Sequence, residues 1–533
     1  MKRLFFTVFF EVIFSVLILS GQSTPVESGL NAINQDILKA QMGFLASNWT
    51  EGRKTGERGE YISADYIAGM LQFIGVQPGG DYPQARGFSN IQRGKQRTYF
   101  QNFVLLRTIP GEEQILKLRS TDGLTVRIND FVFNVDFTLR PSEPAAEIDA
   151  PVVFAGYGFR NDKLKYNDFS RIDVKGKFVL KISGAPAFAR EALSPVELSS
   201  SSMEVEKWLR SQGAVGIIEF NPKMTTVGNP PVPDFMIMSP AEENPGAGRT
   251  FERYSLPAKM NPDSFIRTTI SVRTANEIMR GSGITLEDYI KRADANRLNS
   301  VPALTGKSIY VKTSVKTTQV AVRNVIGVIE GKNPEQIIVL GAHYDHMGMH
   351  KGYIWNGADD NASGTVGVMT IAKAIMDTGI QPEKTIIIAL WTAEEEGLLG
   401  SRYYVDNLPY PVKNLRLNAN FDMISRYISD DERNKVILTY SSSCPEFKEM
   451  TEQNLKKFKI ELKVDYQPSD KPAGGSDHST FVAVGIPIMR FKPGHREEYH
   501  TPRDEVNTVD WDIMEKIVRI SFINIWELAN SNW

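Results

Sequence analysis

The chain has 533 residues, of which 41% are hydrophobic and 23% are charged, and its formal net charge is -2 at pH 7. Its length exceeds that of one small domain, and its composition is that of an ordinary folded protein. The near-neutral charge gives no reason to expect nucleic acid or an anionic membrane as a partner. The single cysteine, Cys444, excludes a disulfide within the chain and a structural zinc site built from cysteines.

The N-terminus carries the pattern of an export signal. Lys2 and Arg3 precede the apolar run Leu4–Leu19, and small or polar residues follow it. This pattern predicts a secretory signal peptide over residues 1–24, and therefore a periplasmic or extracellular protein. Glu11 interrupts the apolar run, which argues against a stable membrane span. An N-terminal membrane anchor is the alternative.

Residues 25–130 are predicted to form the N-terminal part of the main domain. Apolar residues recur at helical intervals over Asn31–Ala46 and again over Ala64–Ile74. The stretch Tyr99–Val135 instead alternates apolar and polar residues, which is typical of strands.

Residues 131–298 are predicted to form an inserted, mainly β domain. Short β-type runs at Ala150–Phe159, Gly176–Ser183 and Val215–Phe220 are separated by Pro, Gly and Ser clusters and by one helical piece, Met203–Ala214. The section continues through Thr268–Met279. None of the β runs ends in a convincing cluster of metal-binding residues, and the region is therefore interpreted as a mostly β insertion.

Residues 299–533 show a different, α/β pattern. The apolar runs Gln336–Ala342 and Thr385–Trp391 end abruptly in charged residues, and a longer helix-like segment separates them. Such runs are typical of buried parallel strands in a βαβ unit. We therefore predict an α/β fold with a mixed, mostly parallel sheet flanked by helices. In such sheets ligands bind beyond the carboxyl ends of the strands.

The histidines favour a metal site at these strand ends. All 6 lie in the last part of the chain: His343, His346, His350, His478, His495 and His500. His343 and Asp345 are two residues apart at a strand end, so in an extended chain their side chains leave the same face. A histidine that binds metal usually donates its second ring nitrogen to a carboxylate, and a neighbouring Asp suits that role.

Carboxylates cluster in the same segments. Asp359 and Asp360 precede a helix in GADDNASG, and three Glu follow a buried strand in AEEEG. Either group could simply cap a turn or a helix. Consecutive carboxylates beyond a buried strand nevertheless repel one another unless a cation lies among them. With Asp422 at another strand end and His500 before the last helix, the set suits a pair of metal ions that share a bridging carboxylate.

Six motifs carry a family resemblance. In chain order they are AHYDHMG, GADDNASG, WTAEEEGLLGS, NFDMIS, GGSDHSTF and YHTPRDE. Together they resemble the co-catalytic zinc aminopeptidases of the bacterial leucyl aminopeptidase type, a zinc exopeptidase family that also includes glutamate carboxypeptidase and glutaminyl cyclase. The segment that begins FLASNWTEGRKTGERGEY is similar, more loosely, to the family's N-terminal part, and VVFAGYGF and VKGKFVLKISG are similar to the protease-associated domain that many members carry.

The resemblance implies two zinc ions and a role for each site residue. The implied metal ligands are Asp360 as the bridging ligand, His343 and Asp422 for one ion, and Glu395 and His500 for the other. Cobalt or manganese would also suit these ligands.

The resemblance also implies the residues that act on substrate. Glu394 would be the general base on a water shared by the metals, and GLLGS fixes the register that leaves Glu396 a bystander. Asp345 would be the hydrogen-bond partner of His343, and Tyr499 is a candidate oxyanion donor or a packing residue.

The remaining histidines are given lesser roles. We expect His346 and His478 to shape the pocket or support the ligands, and His350 and His495 to lie on the surface.

The predicted function is that of a secreted metallo-aminopeptidase acting on peptides with a free N-terminus. Three alternatives remain open: a dipeptidase or carboxypeptidase, a glutaminyl cyclase-type acyl transferase, and a non-catalytic binding relative. A non-catalytic relative should lack metal ligands, whereas this chain keeps them. No prediction of oligomeric state follows from the sequence.

Overall fold

The computed structural model describes residues 24–83, 96–139, 145–225, 227, 252–257, 265–295, 301–350, 352–427, 429–470, 475–494 and 496–533. The predicted signal peptide, apart from Thr24, and His495 lie outside these residues. Among the described residues, no helix has both the length and the apolar character needed to cross a bilayer.

The chain forms two compact units, one of residues up to Phe103 together with Ala321–Trp533, and one of Val104–Val320. The second unit extends beyond the predicted insertion, residues 131–298, on both sides. The boundaries fall inside two long strands, Phe100–Asp122 and Lys307–Ile329, and a strand interior carries no sequence signal of a domain border.

The first unit begins with helices. They are α1 (Pro25–Asn31), α2 (Gln35–Leu45), a 3-10 segment (Asn48–Arg53) and α3 (Arg58–Phe73), followed by the short strand β1 (Gln77–Pro78). The helix predicted over Asn31–Ala46 is α2, which begins at Gln35 because the side chain of Asn34 accepts a hydrogen bond from the Ile37 amide and caps it, whereas α1 was not predicted.

The second unit contains most of the next fifteen elements. Its strands are β2 (Phe100–Asp122), β3 (Thr125–Phe131), β4 (Phe137–Leu139), β5 (Glu147–Phe154), β6 (Arg160–Asn161), β7 (Tyr166–Asn167), β8 (Phe178–Ile182), β9 (Gly216–Phe220), β10 (Arg253–Ser255), β11 (Ile266–Ile270) and the start of β12 (Lys307–Ile329), and its helices are α4 (Ala187–Ala192), α5 (Pro195–Ser211), α6 (Val272–Met279) and α7 (Leu286–Asp294).

The second unit holds more helix than its β-rich sequence pattern predicts. Its sheet runs β12-β5-β8-β9-β11-β4, and the pairs from β5 to β11 are parallel. Parallel neighbours need crossover connections, and α4 and α5 supply the one between β8 and β9. The stretch Thr268–Met279 likewise divides into strand and helix, because Ser271 caps the N-terminus of α6.

The first unit resumes with the elements around the predicted metal site. They are β13 (Asn333–His343), β14 (Gly348–His350), β15 (Tyr353–Trp355), an irregular turn (Ala358–Ser363), α8 (Gly364–Asp377), β16 (Lys384–Trp391), α9 (Leu399–Asp406), β17 (Leu415–Asn420), β18 (Lys435–Ser441), α10 (Glu446–Lys457), β19 (Lys463–Ser469), α11 (His478–Val482), β20 (Ile488–Lys492) and α12 (Trp511–Asn530), with 3-10 turns at Val412–Asn414, Asp430–Glu432 and Val506–Thr508.

The sheet of the first unit runs β19-β18-β20-β17-β13-β16-β12. Strands β16, β13, β17 and β20 are parallel, whereas β12 and β18 run antiparallel to their neighbours β16 and β20. Helices α8 and α12 pack on one face, and α9 and α11 contribute Tyr404 and Phe481 to the apolar cluster on the other. The predicted mixed, mostly parallel sheet flanked by helices is confirmed.

Strand β13 marks the place where the strand order reverses. Its next partner along the chain, β16, lies on one side, and β17 lies on the other. A crevice forms beyond the carboxyl ends of strands at such a switch point, and this is where open α/β sheets bind ligands.

Candidate metal centre

Three neighbouring parallel strands bring predicted site residues to this crevice. In the register of β13 and β16, His343 pairs with Trp391, and in that of β13 and β17, Gly341 pairs with Asn420. The chain therefore leaves these strands side by side, with Glu394 shortly after β16 and Asp422 shortly after β17.

Asp360 lies between two imidazoles. Its Oδ1 is 3.4 Å from His343 Nε2, and its Oδ2 is 3.0 Å from His500 Nε2. Asp422 Oδ1 is 3.7 Å from the same nitrogen of His343, and Glu395 Oε1 is 3.2 Å from that of His500. The structure thus brings all five predicted ligands together in two groups that share Asp360.

The donor set fits a pair of zinc-sized ions. Two donors bound at ~2.0–2.1 Å in a tetrahedron lie about 3.3 Å apart, and the four separations above bracket that value. Nitrogen and carboxylate oxygen are donors that zinc accepts. The described residues that could hold a metal also group as His343, Glu394 and Asp422, and as His346, Asp360 and Glu395.

Electrostatics inside the cluster favour positive charge. Burial opposes ionisation of Glu395, yet hydrogen bonds from His346 and His500 lower its pKa to about 2. Burial alone would lower the pKa of His500, but Asp360 and Glu395 raise it to about 9. The same field of buried carboxylates would hold metal cations.

Glu394 differs from the carboxylate ligands Asp360, Glu395 and Asp422 in the direction of its pKa shift. Burial raises the pKa of its carboxyl well above the usual range, the charges of Asp477, Glu395 and Asp422 raise it further, and His343 opposes them. Its Oε2 is 4.0 Å from His343 Nε2. A carboxylate with a raised pKa beside the ligands is suited to accept a proton.

The carboxylate of Asp345 accepts hydrogen bonds from the backbone of the acidic run Glu394–Glu396. Its Oδ1 accepts from the Glu394 amide at 3.0 Å, and its Oδ2 accepts from the Glu395 amide at 3.2 Å. His343 Nδ1 is 3.2 Å from the backbone oxygen of Asp345 but 3.7 Å from its Oδ1. The ring of His343 is therefore hydrogen-bonded to the Asp345 carbonyl, rather than to the carboxylate that the resemblance implies.

The loop that carries Asp360 rests on two carboxylates without a predicted role. Asp504 Oδ2 accepts from the Asp360 amide at 3.0 Å, and its Oδ1 accepts from the Asp359 amide at 2.9 Å. Asp359 in turn accepts from the amide and the hydroxyl of Ser425. Burial, together with Asp504, raises the pKa of Asp359 to about 7. Asp504 lies in the motif YHTPRDE, and this motif is the sequence feature from which its role could have been predicted.

His346 makes a direct contact with a predicted ligand. Its Nδ1 is 2.9 Å from Glu395 Oε1, and the imidazole is fully buried. Gly357 leaves room for the ring, because a Cβ at that position would lie 2.4 Å from His346 Cδ2. The expected supporting role of His346 thus becomes a specific contact with Glu395.

Arg53 is a buried cation behind the site. Its guanidinium donates to the carbonyl oxygens of Tyr344, Asn356 and Gly357, and also to that of Leu45. These bonds tie the N-terminal 3-10 segment to the strand end after His343 and to the start of the Asp360 loop. The motif around Arg53 was recognised, but its contacts could not be predicted.

The other aromatic site candidates differ in their surroundings. The ring of Tyr499 stacks on His500 with centroids 3.8 Å apart, and the residue is 39% exposed. His478 is buried, and its burial and Arg490 lower its pKa to about 3, so the ring is neutral. His350 is half-buried, with its ring near Trp355, rather than on the surface as expected.

Comparison with known proteins agrees with these observations. Residues 324–523 match peptidase family M28. Leucine aminopeptidase 2 of Arthroderma otae is 32% identical over 204 residues, which cover 37% of this chain and 39% of that protein. The match thus spans about two fifths of that relative's length.

Two solved structures share the fold over nearly the whole chain. An aminopeptidase from Aneurinibacillus sp. strain AM-1 has a TM-score of 0.56 at 18% identity, covering 95% of this chain and 97% of that one. A zinc aminopeptidase from Bacillus subtilis has a TM-score of 0.50 at 20% identity, covering 94% and 96%. Residues 324–523 thus match peptidase family M28, in agreement with the motif resemblance, and the chain as a whole shares the fold of these two structures.

Proposed function

We propose that this protein is an exported metallo-aminopeptidase that holds two zinc ions and removes the N-terminal residue of peptides. The observation that carries the proposal is the position of Asp360, whose two oxygens face the imidazoles of His343 and His500 at 3.4 and 3.0 Å. Asp422 and Glu395 complete the two groups. The names of the relatives, leucine aminopeptidase and zinc aminopeptidase, support this activity.

Two divalent cations bound in this cluster would polarise the scissile carbonyl and lower the pKa of an attacking water. Glu394 takes the proton of that water and returns it to the leaving amine, which its raised pKa favours. Asp345 orients Glu394 and Glu395 through their backbone amides. Tyr499, beside His500, donates its hydroxyl to the oxygen that becomes negatively charged.

The remaining assignments rest on sequence pattern. Export is supported by the basic, apolar and polar segments of residues 1–24. The motifs VVFAGYGF and VKGKFVLKISG support a protease-associated domain over residues 131–298, within the second unit, Val104–Val320.

The test uses aminoacyl-amide substrates, Glu394→Gln and a chelator. We expect the variant to retain two metal ions per chain by elemental analysis but to lose ~10²–10⁴-fold in kcat, because the proton acceptor is gone. The chelator should abolish activity, and added zinc should restore it.

Glu396→Gln is the matched control, since it changes the next-but-one residue of the same acidic run. It should turn over at close to the wild-type rate. A Glu394→Gln variant that is as active as the wild type would remove the proposed base. Release of pyroglutamate from Gln-leading peptides, without free amino acid, would identify an acyl transferase instead.

A further inference from the structure

Two cations follow one another on the strand beside the metal centre. Arg490 and Lys492 are alternate residues of β20, so in the strand their side chains leave the same face. Strand β20 is parallel to β17, with Asn418 paired to Ile488. Continuing that register places Lys492 beside Asp422, at the ligand-bearing end of the sheet.

Arg490 is buried without an acidic partner. It is 8% exposed, and within the described part of the chain its hydrogen bonds go only to the ring of His478, with Nη1 3.3 Å from Nε2. A guanidinium has five N–H donors, and those that Arg490 does not give to His478 keep access to solvent, since none of them is a buried atom without a partner. The donors therefore suit an acceptor that arrives with a ligand.

Arg490 is also within electrostatic reach of the reacting groups. Burial lowers its pKa, whereas the carboxylates of Asp422 and Glu394 raise it. Its positive charge thus interacts with the proposed base and with one proposed metal ligand.

Lys492 is a second cation whose side chain makes no hydrogen bond to a carboxylate among the described residues, and it is more exposed than Arg490. It is half-buried, and among the described residues its Nζ is hydrogen-bonded only to the thioether of Met423, at 3.8 Å. A thioether is a weak acceptor that leaves the charge of the ammonium group uncompensated. Its charge nevertheless acts on Asp422, whose pKa it helps to lower.

We propose that Arg490 and Lys492 form a subsite for a carboxylate of the peptide substrate. The inference rests on the proposed aminopeptidase function and specifies its substrate class: short peptides whose own α-carboxylate reaches the subsite, or peptides with an acidic residue after the scissile bond. Both sources present the same chemistry, and a planar guanidinium binds carboxylate in two-point fashion.

The test compares two pairs of substrates that differ in one negative charge. These are Leu-Gly against Leu-Gly-amide, and Leu-Asp-amide against Leu-Asn-amide, assayed with the zinc-loaded full-length enzyme. For at least one pair we expect kcat/KM of the wild type to favour the charged member by ~10-fold or more, mostly through KM. The pair that shows the preference identifies which carboxylate is bound.

Arg490→Gln and Lys492→Gln should each reduce this ratio, and Arg490→Lys should retain part of it. Arg416→Gln, which removes an exposed charge from neighbouring β17, is the matched control and should keep the wild-type ratio. Metal content is measured for every variant. A parallel loss of metal and of activity on both members of a pair would show a structural role and overturn the subsite.

Equal rates on both members of both pairs in the wild type would also overturn it, as would a ratio that survives in Arg490→Gln. Neither result touches the proposed function, because the neutral amides would still be cleaved. The absence of any hydrolysis by the zinc-loaded wild type would instead reject the aminopeptidase itself.

Discussion

Asp360 stays ionised although it is buried. Burial opposes its charge, but hydrogen bonds with His343 and His500 hold its pKa well below the usual range. Each of its oxygens faces a different imidazole, so the residue can serve both groups of donors. This arrangement supports its proposed role as the bridging ligand.

Backbone strain accompanies the site residues. The φ values of Ala393, Met423 and His500 are 54°, 58° and 56°. Residues other than glycine rarely adopt this left-handed region. Each lies next to a proposed site residue or is one. Such conformations cost about 1–3 kcal/mol each, and they persist where the surrounding structure enforces them for function.

At the residue scale, His346 is predicted to set the orientation of Glu395. Since an ionised carboxylate only accepts hydrogen bonds, Nδ1 of His346 must carry the proton across the 2.9 Å contact with Glu395 Oε1. His346→Leu removes this donor and should weaken binding of one metal ion by ~10–100-fold. Competition with a chromogenic chelator measures the affinity of each site.

His346→Asn is the matched variant, because its side-chain amide places a donor where Nδ1 stood. It should recover most of the lost affinity. If His346→Leu binds both ions as tightly as the wild type, the contact with Glu395 has no positioning role.

At the element scale, helix α3 supports the site from outside the matched region, residues 324–523. Glu60 of α3 accepts from the Gly56 amide at 2.5 Å and from the hydroxyl of Thr392, just after β16. Thr55, shortly before the helix, donates to Asp345 at 3.3 Å. The N-terminal segment is therefore part of the framework around the proposed metal centre.

Glu60 should make stability depend on pH. Burial, with a contribution from Asp345, raises the pKa of this carboxyl from 4.5 to about 8. Between these values the folded state binds a proton that the unfolded state has lost. The free energy of unfolding should therefore fall as pH rises through this window, by up to about 1.4 kcal/mol per pH unit from this group.

Denaturant unfolding from pH 5 to pH 8 at one saturating zinc concentration tests this. Glu60→Gln mimics the protonated side chain and should flatten the dependence, whereas the exposed Glu57→Gln should leave it unchanged. If the free energy of unfolding depended on pH in the same way in the wild type and in Glu60→Gln, Glu60 would not titrate in this range.

At the scale of the whole molecule, all five proposed ligands lie in the first unit. A ligand that binds only the folded state stabilises it by about 2.7 kcal/mol when its concentration is one hundred times its Kd. Zinc should therefore slow hydrogen exchange in β13, β16 and β17, and chelation should reverse this.

Strands β8 and β9 of the second unit are the internal control, since no proposed ligand lies there. Their exchange should not respond to zinc. If zinc slowed hydrogen exchange equally in β8 and β16, the result would contradict a metal site confined to the first unit.

The sequence by itself determined the fold class of the first unit and the identity of the clustered residues. Apolar runs that end in His343 and in Glu394–Glu396 mark parallel strands, and parallel strands present their carboxyl ends at one edge of a sheet. The residue types at that edge then restrict the chemistry to nitrogen and oxygen ligands for a metal. Both conclusions follow from patterns that are local in the chain.

Only the tertiary structure decided which atoms meet. The contact of His346 with Glu395 spans 49 residues, that of Asp504 with the Asp360 amide spans 144, and that of Arg53 with Gly357 spans 304. Such pairings depend on how strand ends and loops pack in three dimensions, which local periodicity does not encode. For the same reason, the sequence could not show that the guanidinium of Arg490 is bonded to His478 and lacks an acidic partner among the described residues.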